Sequence, residues 1–576
     1  MRLAVIDFSR CQPKKCNYEC QRFCPRVRSG IETVKIVDGR PSIIEETCIG
    51  CGICAKKCPF NAIKIINLPE VPVEPIFRYG KNKFELFGLP VPKQETVVGI
   101  LGQNGIGKTT ALRILIGELV PNFGEDKEYT LESAARKLRG KEVQNYLESL
   151  AKNEIKFAMK PQHIDQIPKF FKGKVKDLLA KVSDNYEEVA EELELKESLN
   201  KEINELSGGE LQRVAIAACL LKNANFLFFD EPSSFLDIRQ RLRVARILKK
   251  FAKDKAIVVV EHDLIFLDFV SDIIHIVYGV PGAYGIFCKP KSVRNAINEY
   301  LKGYLKAENV KFREPIKFDT KPVDRIKEAE VLLEFTCIKK KIESFKLEVE
   351  AGFIRKGEIV GVIGPNSIGK TTFMRILANE IKADKGSIKG KVRISYKPQY
   401  LEAKREVLVY DLLNAIDSNF ADKLFIKKLE VEKLYERMIT ELSGGELQRV
   451  AIAACLLQRA DVYLLDEPSA YLDVEQRIRL AKILKDFVEE SKKAAFVVDH
   501  DLLFIDYISD RLMVFTGTPN RHGIAKICNM RDGMNLFLRD LGITFRRDKE
   551  TNRPRVNKPG SRLDTLQREK GEYYYL

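Results

Sequence analysis

The sequence predicts an α/β protein in which two copies of one module follow a small α+β domain rich in cysteine. Three observations carry this prediction: a sixteen-residue segment occurs twice, two glycine-rich loops each stand between a strand and a helix, and eight of the thirteen cysteines fall within the first 58 residues. Length agrees, because 576 residues exceed what one hydrophobic core organises and call for about three to five domains.

Composition narrows the class. With 45% hydrophobic and 31% charged residues the chain is an ordinary globular mixture. No stretch approaches the roughly 18 uninterrupted apolar residues a membrane helix needs, and dense runs such as Ala256 to Val260 have strand length. The N-terminal apolar residues meet Asp7 too early for a signal peptide. A cytoplasmic protein that does not enter a membrane is expected. The net charge of +16 suits a polyanionic partner such as RNA, and a lysine-rich surface alone would give the same total.

The repeat sets the organisation. Leu206 to Leu221 and Leu442 to Leu457 both read LSGGELQRVAIAACLL, and Gln162/Gln399, Asp230/Asp466 and His262/His500 keep a separation of about 237 positions. Gly102 and Gly364 are 262 apart, so the first copy holds about 25 extra residues between Thr110 and Gln162. In that window Thr130 to Arg139 and Lys141 to Lys152 read as two amphipathic helices, with Thr130 as N-cap and Gly140 between them. This helix-loop-helix insertion is either a surface elaboration or, through Arg136, Lys137, Arg139 and Lys141, a docking element for RNA or protein. The expected domains are residues 1–75, 76–290 with the insertion near 125–155, a hinge at 291–325, a second module at 326–530, and a C-terminal hinge and basic tail at 531–576.

Each module carries a phosphate site. Gly102-Gln-Asn104-Gly105-Ile-Gly107-Lys108-Thr109-Thr110 follows the apolar strand Val97 to Leu101 and opens a helix, the context of a P-loop. Backbone amides wrap the phosphates at the helix N-terminus, the lysine reaches the outer phosphates and the threonine holds magnesium. The second copy, Gly364-Pro-Asn366-Ser367-Ile-Gly369-Lys370-Thr371-Thr372, has a serine where the first has Gly105. The apolar strands ending in Asp230-Glu231 and Asp466-Glu467 deliver two carboxylates each. The aspartate is expected to support magnesium and the glutamate to polarise the attacking water. Gln162 and Gln399 are expected to complete the metal shell, and His262 and His500 to meet the γ-phosphate. Tyr79 and Phe84 in the first module and Phe345 in the second are candidates to stack on adenine; rings on strands also serve as core.

Both modules resemble the nucleotide-binding cassettes of the ABC superfamily through these P-loops, through LSGGE at Leu206 to Glu210 and Leu442 to Glu446, and through Ser234-Phe-Leu-Asp237 and Ala470-Tyr-Leu-Asp473. The resemblance implies an ATPase whose modules pair head-to-tail. Each ATP would lie between one P-loop and the other module's signature, so that Lys108 shares a site with Ser443 and Gly445, and Lys370 with Ser207 and Gly209.

In the N-terminal domain, Cys48-x2-Cys51-x2-Cys54-x3-Cys58-Pro59 matches the bacterial ferredoxin run, and Cys11-x4-Cys16-x3-Cys20-x3-Cys24-Pro25 keeps its final spacing and proline. That pattern implies a ferredoxin-like α+β domain with two 4Fe-4S clusters and crossed ligation. Cys48, Cys51, Cys54 and Cys24 would hold one cluster, and Cys11, Cys16, Cys20 and Cys58 the other. Zinc is the alternative for eight clustered cysteines.

The domain order as a whole resembles the RNase L inhibitor family, the ribosome-recycling ATPases of ABC subfamily E. The resemblance implies that ATP-driven closure splits ribosomes into subunits after termination or stalling. It also implies binding to the small subunit and its rRNA and to a termination factor or Pelota-type factor, with a role in initiation and its factors, by a monomer. An ATP-gated iron-sulfur electron-transfer protein is the alternative function. A chromosome or repair ATPase would need long heptad-rich coiled coils, which the sequence lacks.

Overall fold

The computed structural model of the chain describes residues 2–574 apart from 9, 45–46, 68–73, 82, 141, 317, 319–328 and 400–405. Two compact units form: Met1–Phe235 with Arg243–His262 and Val270–Glu314, and Leu236–Leu242 with Asp263–Phe269 and Pro315–Leu576. The expected boundaries near residues 75 and 325 adjoin or fall on residues outside the described set, as do Lys141 of the insertion and the last two residues of the tail.

In the first unit the cysteine domain is closed by antiparallel pairing of Arg2–Ile6 with Ile63–Asn67. A hairpin of Val34–Val37 and Arg40–Ile43 lies beside it. Its turn residues Asp38 and Gly39 both have positive φ, 49° and 71°, the signature of the hairpin turn whose twist matches its strands. The cysteine motifs sit on short helices, Glu19–Arg22, Pro25–Arg28 and Ile53–Lys57. Cys24 is the extended N-cap of one of them and Pro25 its first residue, where a missing N–H costs nothing. The buried core is small: Ala4, Ile6, Val34, Ile43 and Ile63, together with Cys20, Cys24 and Cys54. These three cysteines therefore form part of the interior.

The remainder of that unit is a curled mixed sheet. Its central strands Ile273–Val280, Val97–Leu101, Ala256–Val260, Phe226–Asp230 and Phe157–Lys160 run parallel in that order. Three of them are buried at every residue, as continuous apolar runs covered on both faces must be. The second unit repeats the order with Arg511–Thr518, Ile359–Ile363, Ala494–Val498, Val462–Asp466 and Ile394–Lys397.

This topology creates the site. In register, Val260 pairs with both Asp230 and Ile100, and Lys160 pairs with Phe229. The residues that follow, the P-loop, Glu231, His262 and Gln162, consequently leave one edge of the sheet together, where parallel α/β sheets bind ligands.

Helices Leu131–Lys137 and Val143–Ala151 occupy the window of the extra residues. Thr130 Oγ1 accepts from Ser133 N–H at 3.2 Å as the N-cap. Ala134, Ala135, Leu138, Tyr146, Leu147 and Leu150 sink into the module's core. Of the basic cluster, Arg136 and Arg139 are exposed, whereas Lys137 is engaged by Glu125 and lies 4.6 Å from the Phe123 ring centre. The C-terminal segment folds as a hairpin, Phe545–Arg547 with Pro554–Val556, followed by helix Arg562–Lys570.

Candidate nucleotide and iron-sulfur sites

The first P-loop ends at Gly107, whose φ of 91° opens helix Lys108–Leu115. A side chain here would strike the Phe84 ring at 2.6 Å, and at Gly369 it would stand 3.1 Å from Phe345. Glycine therefore lets these two rings lie against their loops in equivalent positions. Tyr79 differs: it is 43% exposed and shares a hydrogen bond of 3.2 Å with Thr110. Ser367 adopts φ 56° where Gly105 has 73°. The serine thus keeps the loop's left-handed turn, at a cost of about 1 kcal/mol.

Lys108 is buried and its ammonium donates to Gly102 O at 2.8 Å and Gln103 O at 2.6 Å, with Asn104 Oδ1 at 3.4 Å. Lys370 donates to Gly364 O and Pro365 O, both at 2.7 Å. Thr109 Oγ1 donates to Asp230 Oδ2 at 2.9 Å and Thr371 Oγ1 to Asp466 Oδ2 at 2.7 Å. Asn366 and Thr372 are half-buried beside them. The other carboxylate oxygen of Asp466, Oδ1, is buried without a hydrogen-bond partner. Burial also raises the Asp466 carboxyl to about 6. An orphaned, desolvated carboxylate oxygen beside a threonine hydroxyl is the donor set a hard divalent cation takes.

The glutamates close the site. Gln162 Nε2 donates to Glu231 Oε1 at 2.8 Å, and Gln399 Nε2 to Glu467 Oε1 at 2.7 Å. His262 Nε2 lies 3.6 Å from Glu231 Oε1 and 2.9 Å from Asn104 Oδ1, and His500 Nε2 lies 3.4 Å from Glu467 Oε1. Burial opposes ionisation of Glu467, yet hydrogen bonding and charge from His500, with Lys370 and Gln399, hold its carboxyl at about 2. It is an anion at neutral pH. The structure thus brings together every predicted element of each module's own half-site.

The signature serines are helix caps. Ser207 and Ser443 begin the helices Gly208–Leu221 and Gly444–Leu457, each in a reciprocal capping box with a glutamate three residues on. Both serines are exposed, and Gly209 and Gly445 lie in the first turn. Backbone N–H groups at such an end point outward and favour an anion. Sequence reading overlooked four residues. Lys160 and Lys397 are fully buried lysines on sheet strands, and Gln212 and Gln448 are buried within the signature helices. The only available signal was that both pairs recur in the repeat.

In the cysteine domain Cys11, Cys16, Cys20 and Cys58 line one cavity, with Pro13, Tyr18 and Ile63. Cys24, Cys48, Cys51 and Cys54 line a second, with Val34, Ile43 and Ile65. Among the described residues no three metal-binding side chains converge on one point. Each quartet lines its own cavity, and four thiols apiece are the donor type an iron-sulfur cluster takes. Burial pushes the Cys20 thiol up to about 12 and the Cys54 thiol up to about 11, so ligation there must displace protons.

Comparison with known proteins agrees with this geometry. A family profile described as ABC transporter matches residues 91–234 and 351–470. One described as a possible Fer4-like domain in RNase L inhibitor matches 1–32, and a 4Fe-4S binding domain matches 41–64. An uncharacterized ABC transporter ATP-binding protein of Methanocaldococcus jannaschii is 54% identical, over 100% of this chain and 98% of its own. A structure of ribosome-bound archaeal Pelota and ABCE1 superposes with TM-score 0.93 at 54% identity, covering 100% and 99% of the two chains. The archaeal ribosome recycling factor aABCE1, solved with the ribosomal stalk protein aP1, gives 0.84 at 53% identity, covering 88% and 100%. Among the described residues no helix is long and apolar enough to cross a membrane. With its duplicated ATP sites and its 4Fe-4S binding domain, the chain belongs to ABC subfamily E, the RNase L inhibitor family, as an ATP hydrolase and not a transporter.

Proposed function

We propose that this ATPase splits ribosomes into subunits after termination or stalling, driven by closure of its two modules on ATP. The observation that carries the reading is the union, in one chain, of two complete ATP half-sites with a cysteine domain packed against the first module. Lys64 Nζ donates to Pro281 O at 2.8 Å, and Val5 packs with Ala283 and Tyr284. A module that moves would therefore carry the cluster domain with it as a lever.

In this reading Lys108, Gly102, Asn104, Gly105, Gly107, Thr109 and Thr110 cradle one ATP, and Ser443 and Gly445 meet its γ-phosphate from the other module. Lys370, Gly364, Asn366, Gly369, Thr371 and Thr372 cradle the second, met by Ser207 and Gly209. Phe84 and Phe345 stack on adenine, with Tyr79 beside Phe84. Magnesium, held by Thr109, Asp230 and Gln162 or by Thr371, Asp466 and Gln399, would neutralise phosphate charge. Glu231 and Glu467 accept the proton of the attacking water, and His262 and His500 orient the γ-phosphate. ATP joins the signature of one module to the P-loop of the other, and loss of the γ-phosphate removes the joint.

Two 4Fe-4S clusters, one in each cysteine quartet, would stiffen a domain whose apolar core is small. The expected partners are the small ribosomal subunit and its rRNA, and a termination or Pelota-type factor. The protein acts in the cytoplasm as a monomer, through the domains bounded near residues 75, 290, 325 and 530. In support, two relatives in structure were solved on or with ribosomal components, and the net charge of +16 favours RNA.

The experiment that tests the partner is sedimentation of the purified protein with isolated small subunits. With a non-hydrolysable ATP analogue it is expected to comigrate with them, and with ADP to stay at the top of the gradient. Equal distribution in both nucleotides would contradict the proposal.

A further inference from the structure

The main chain of the candidate base is held from two sides, identically in both modules. Glu231 and Glu467 adopt left-handed backbone, with φ of 49° and 48°, which a non-glycine residue keeps only where its surroundings impose it. The imposing groups are visible. Gln212 Nε2 donates to Glu231 O at 2.8 Å, and Lys160 Nζ donates to Asp230 O at 2.8 Å and Glu231 O at 3.2 Å. In the second module Gln448 Nε2 donates to Glu467 O at 2.8 Å, and Lys397 Nζ to Asp466 O at 2.8 Å and Glu467 O at 3.4 Å.

All four side chains are at most 1% exposed. A buried ammonium satisfied by carbonyl oxygens is an expensive way to fill space, where methionine would pack without desolvation. The strand bearing it reads Phe-Ala-Met-Lys160 in one module and Ile-Ser-Tyr-Lys397 in the other, so the lysine alone is common to the two. Packing does not require it; the glutamate's peptide does.

The clamp also joins two elements of the same module. Gln212 stands five residues after Ser207, within helix Gly208–Leu221, a separation of about 7.5 Å of rigid helix. Lys160 stands two residues before Gln162, which holds the carboxylate of the same glutamate. The glutamate is thus fixed at its carbonyl by the signature helix and at its carboxylate by the turn that follows the strand ending at Lys160.

We infer that Gln212 with Lys160, and Gln448 with Lys397, are positioning residues that set the base and transmit displacement of each signature helix to the glutamate of the same module. This rests on the proposed reading in which Ser207 meets the ATP held by Lys370. Engagement of ATP at that site then adjusts Glu231, which serves the site of Lys108. The reciprocal path runs from Ser443 through Gln448 to Glu467.

The test is a double-mutant cycle in the full chain carrying Glu467→Gln, where only the first site turns over. Gln212→Met keeps the side-chain length and removes both donors. It is expected to lower kcat about 10- to 100-fold with KM within about twofold, and Lys160→Met to do the same. Ser207→Arg, which blocks the signature from the opposing ATP, is expected to slow the first site when Gln212 is present and to add nothing once Gln212→Met is in place. Losses that multiply independently, or a raised KM with unchanged kcat, overturn the inference. Ser207→Arg without effect in either background overturns instead the shared-site reading beneath it. The mirror cycle, with Gln448→Met and Ser443→Arg in a Glu231→Gln chain, repeats the measurement at the second site by the same criteria should the first variant fold poorly.

Discussion

Glu231→Gln and Glu467→Gln are each expected to lower hydrolysis at their own site by about 100- to 10,000-fold, the usual contribution of a positioned base, while ATP still binds. The geometry makes this a clean substitution. Each carboxylate is approached by a glutamine amide, at 2.8 Å for Glu231 and 2.7 Å for Glu467, and by an imidazole at 3.6 Å and 3.4 Å. Glutamine keeps the shape and removes only the proton acceptor. The P-loop contacts are separate from the glutamate, so nucleotide affinity should change little and the closed, ATP-joined state should accumulate. Because the Glu467 carboxyl is held at about 2, it stays ionised through neutral and mildly acidic pH and loses its charge only as pH falls toward that value. The effect of Glu467→Gln should therefore be constant across the neutral range. Single-turnover phosphate release from each variant checks this, and release at the wild-type rate from both would remove the glutamates from the role of base.

Loss of Cys58 is expected to empty the distant quartet rather than the one nearest in sequence. Cys58 lines a cavity with Cys11, Cys16 and Cys20, whereas Cys48, Cys51 and Cys54 line the other with Cys24. Cys58→Ser should halve the iron content, from about eight to about four atoms per chain. Adding Cys11→Ser should then remove no more iron, while adding Cys48→Ser should remove the rest. Iron assay and absorbance of the anaerobically purified protein decide it, and the opposite pattern would assign Cys58 to its sequence neighbours. The domain should also lose thermal stability. Its apolar interior of Ala4, Ile6, Val34, Ile43 and Ile63 is too small to hold a hairpin and a closing strand pair without ligation.

Most of the candidate site was legible in the sequence because duplication turned single motifs into an internal control. The P-loops, the paired acidic residues and the histidines each recur in one order, and parallel strands in register leave them no choice but to meet at one sheet edge. The grouping of Cys58 with Cys11, Cys16 and Cys20, and of Cys24 with Cys48, Cys51 and Cys54, was legible because the ferredoxin spacing with its Cys-Pro carries a defined topology. Side-chain partnership was not. Lys137 reads as one of a row of docking cations, yet Glu125, twelve residues away, engages it. Tyr79 and Phe84 are equivalent candidates by sequence; the structure separates them, with Phe84 packed against Gly107 and Tyr79 exposed and hydrogen-bonded to Thr110. Lys160 was missed for a physical reason: a lysine on a strand reads as solvent-facing, and only the backbone carbonyls of Asp230 and Glu231 explain its burial.

Ribosome splitting is tested most directly by a sucrose-gradient assay of intact ribosomes incubated with the protein, ATP and a termination-type or Pelota-type factor. Whole particles are expected to convert into subunits in a reaction that requires ATP and the factor, and that stops after one closure with the Glu231→Gln, Glu467→Gln double variant. Intact particles under those conditions, from a preparation whose ATP hydrolysis and iron content are confirmed, would contradict the proposed function.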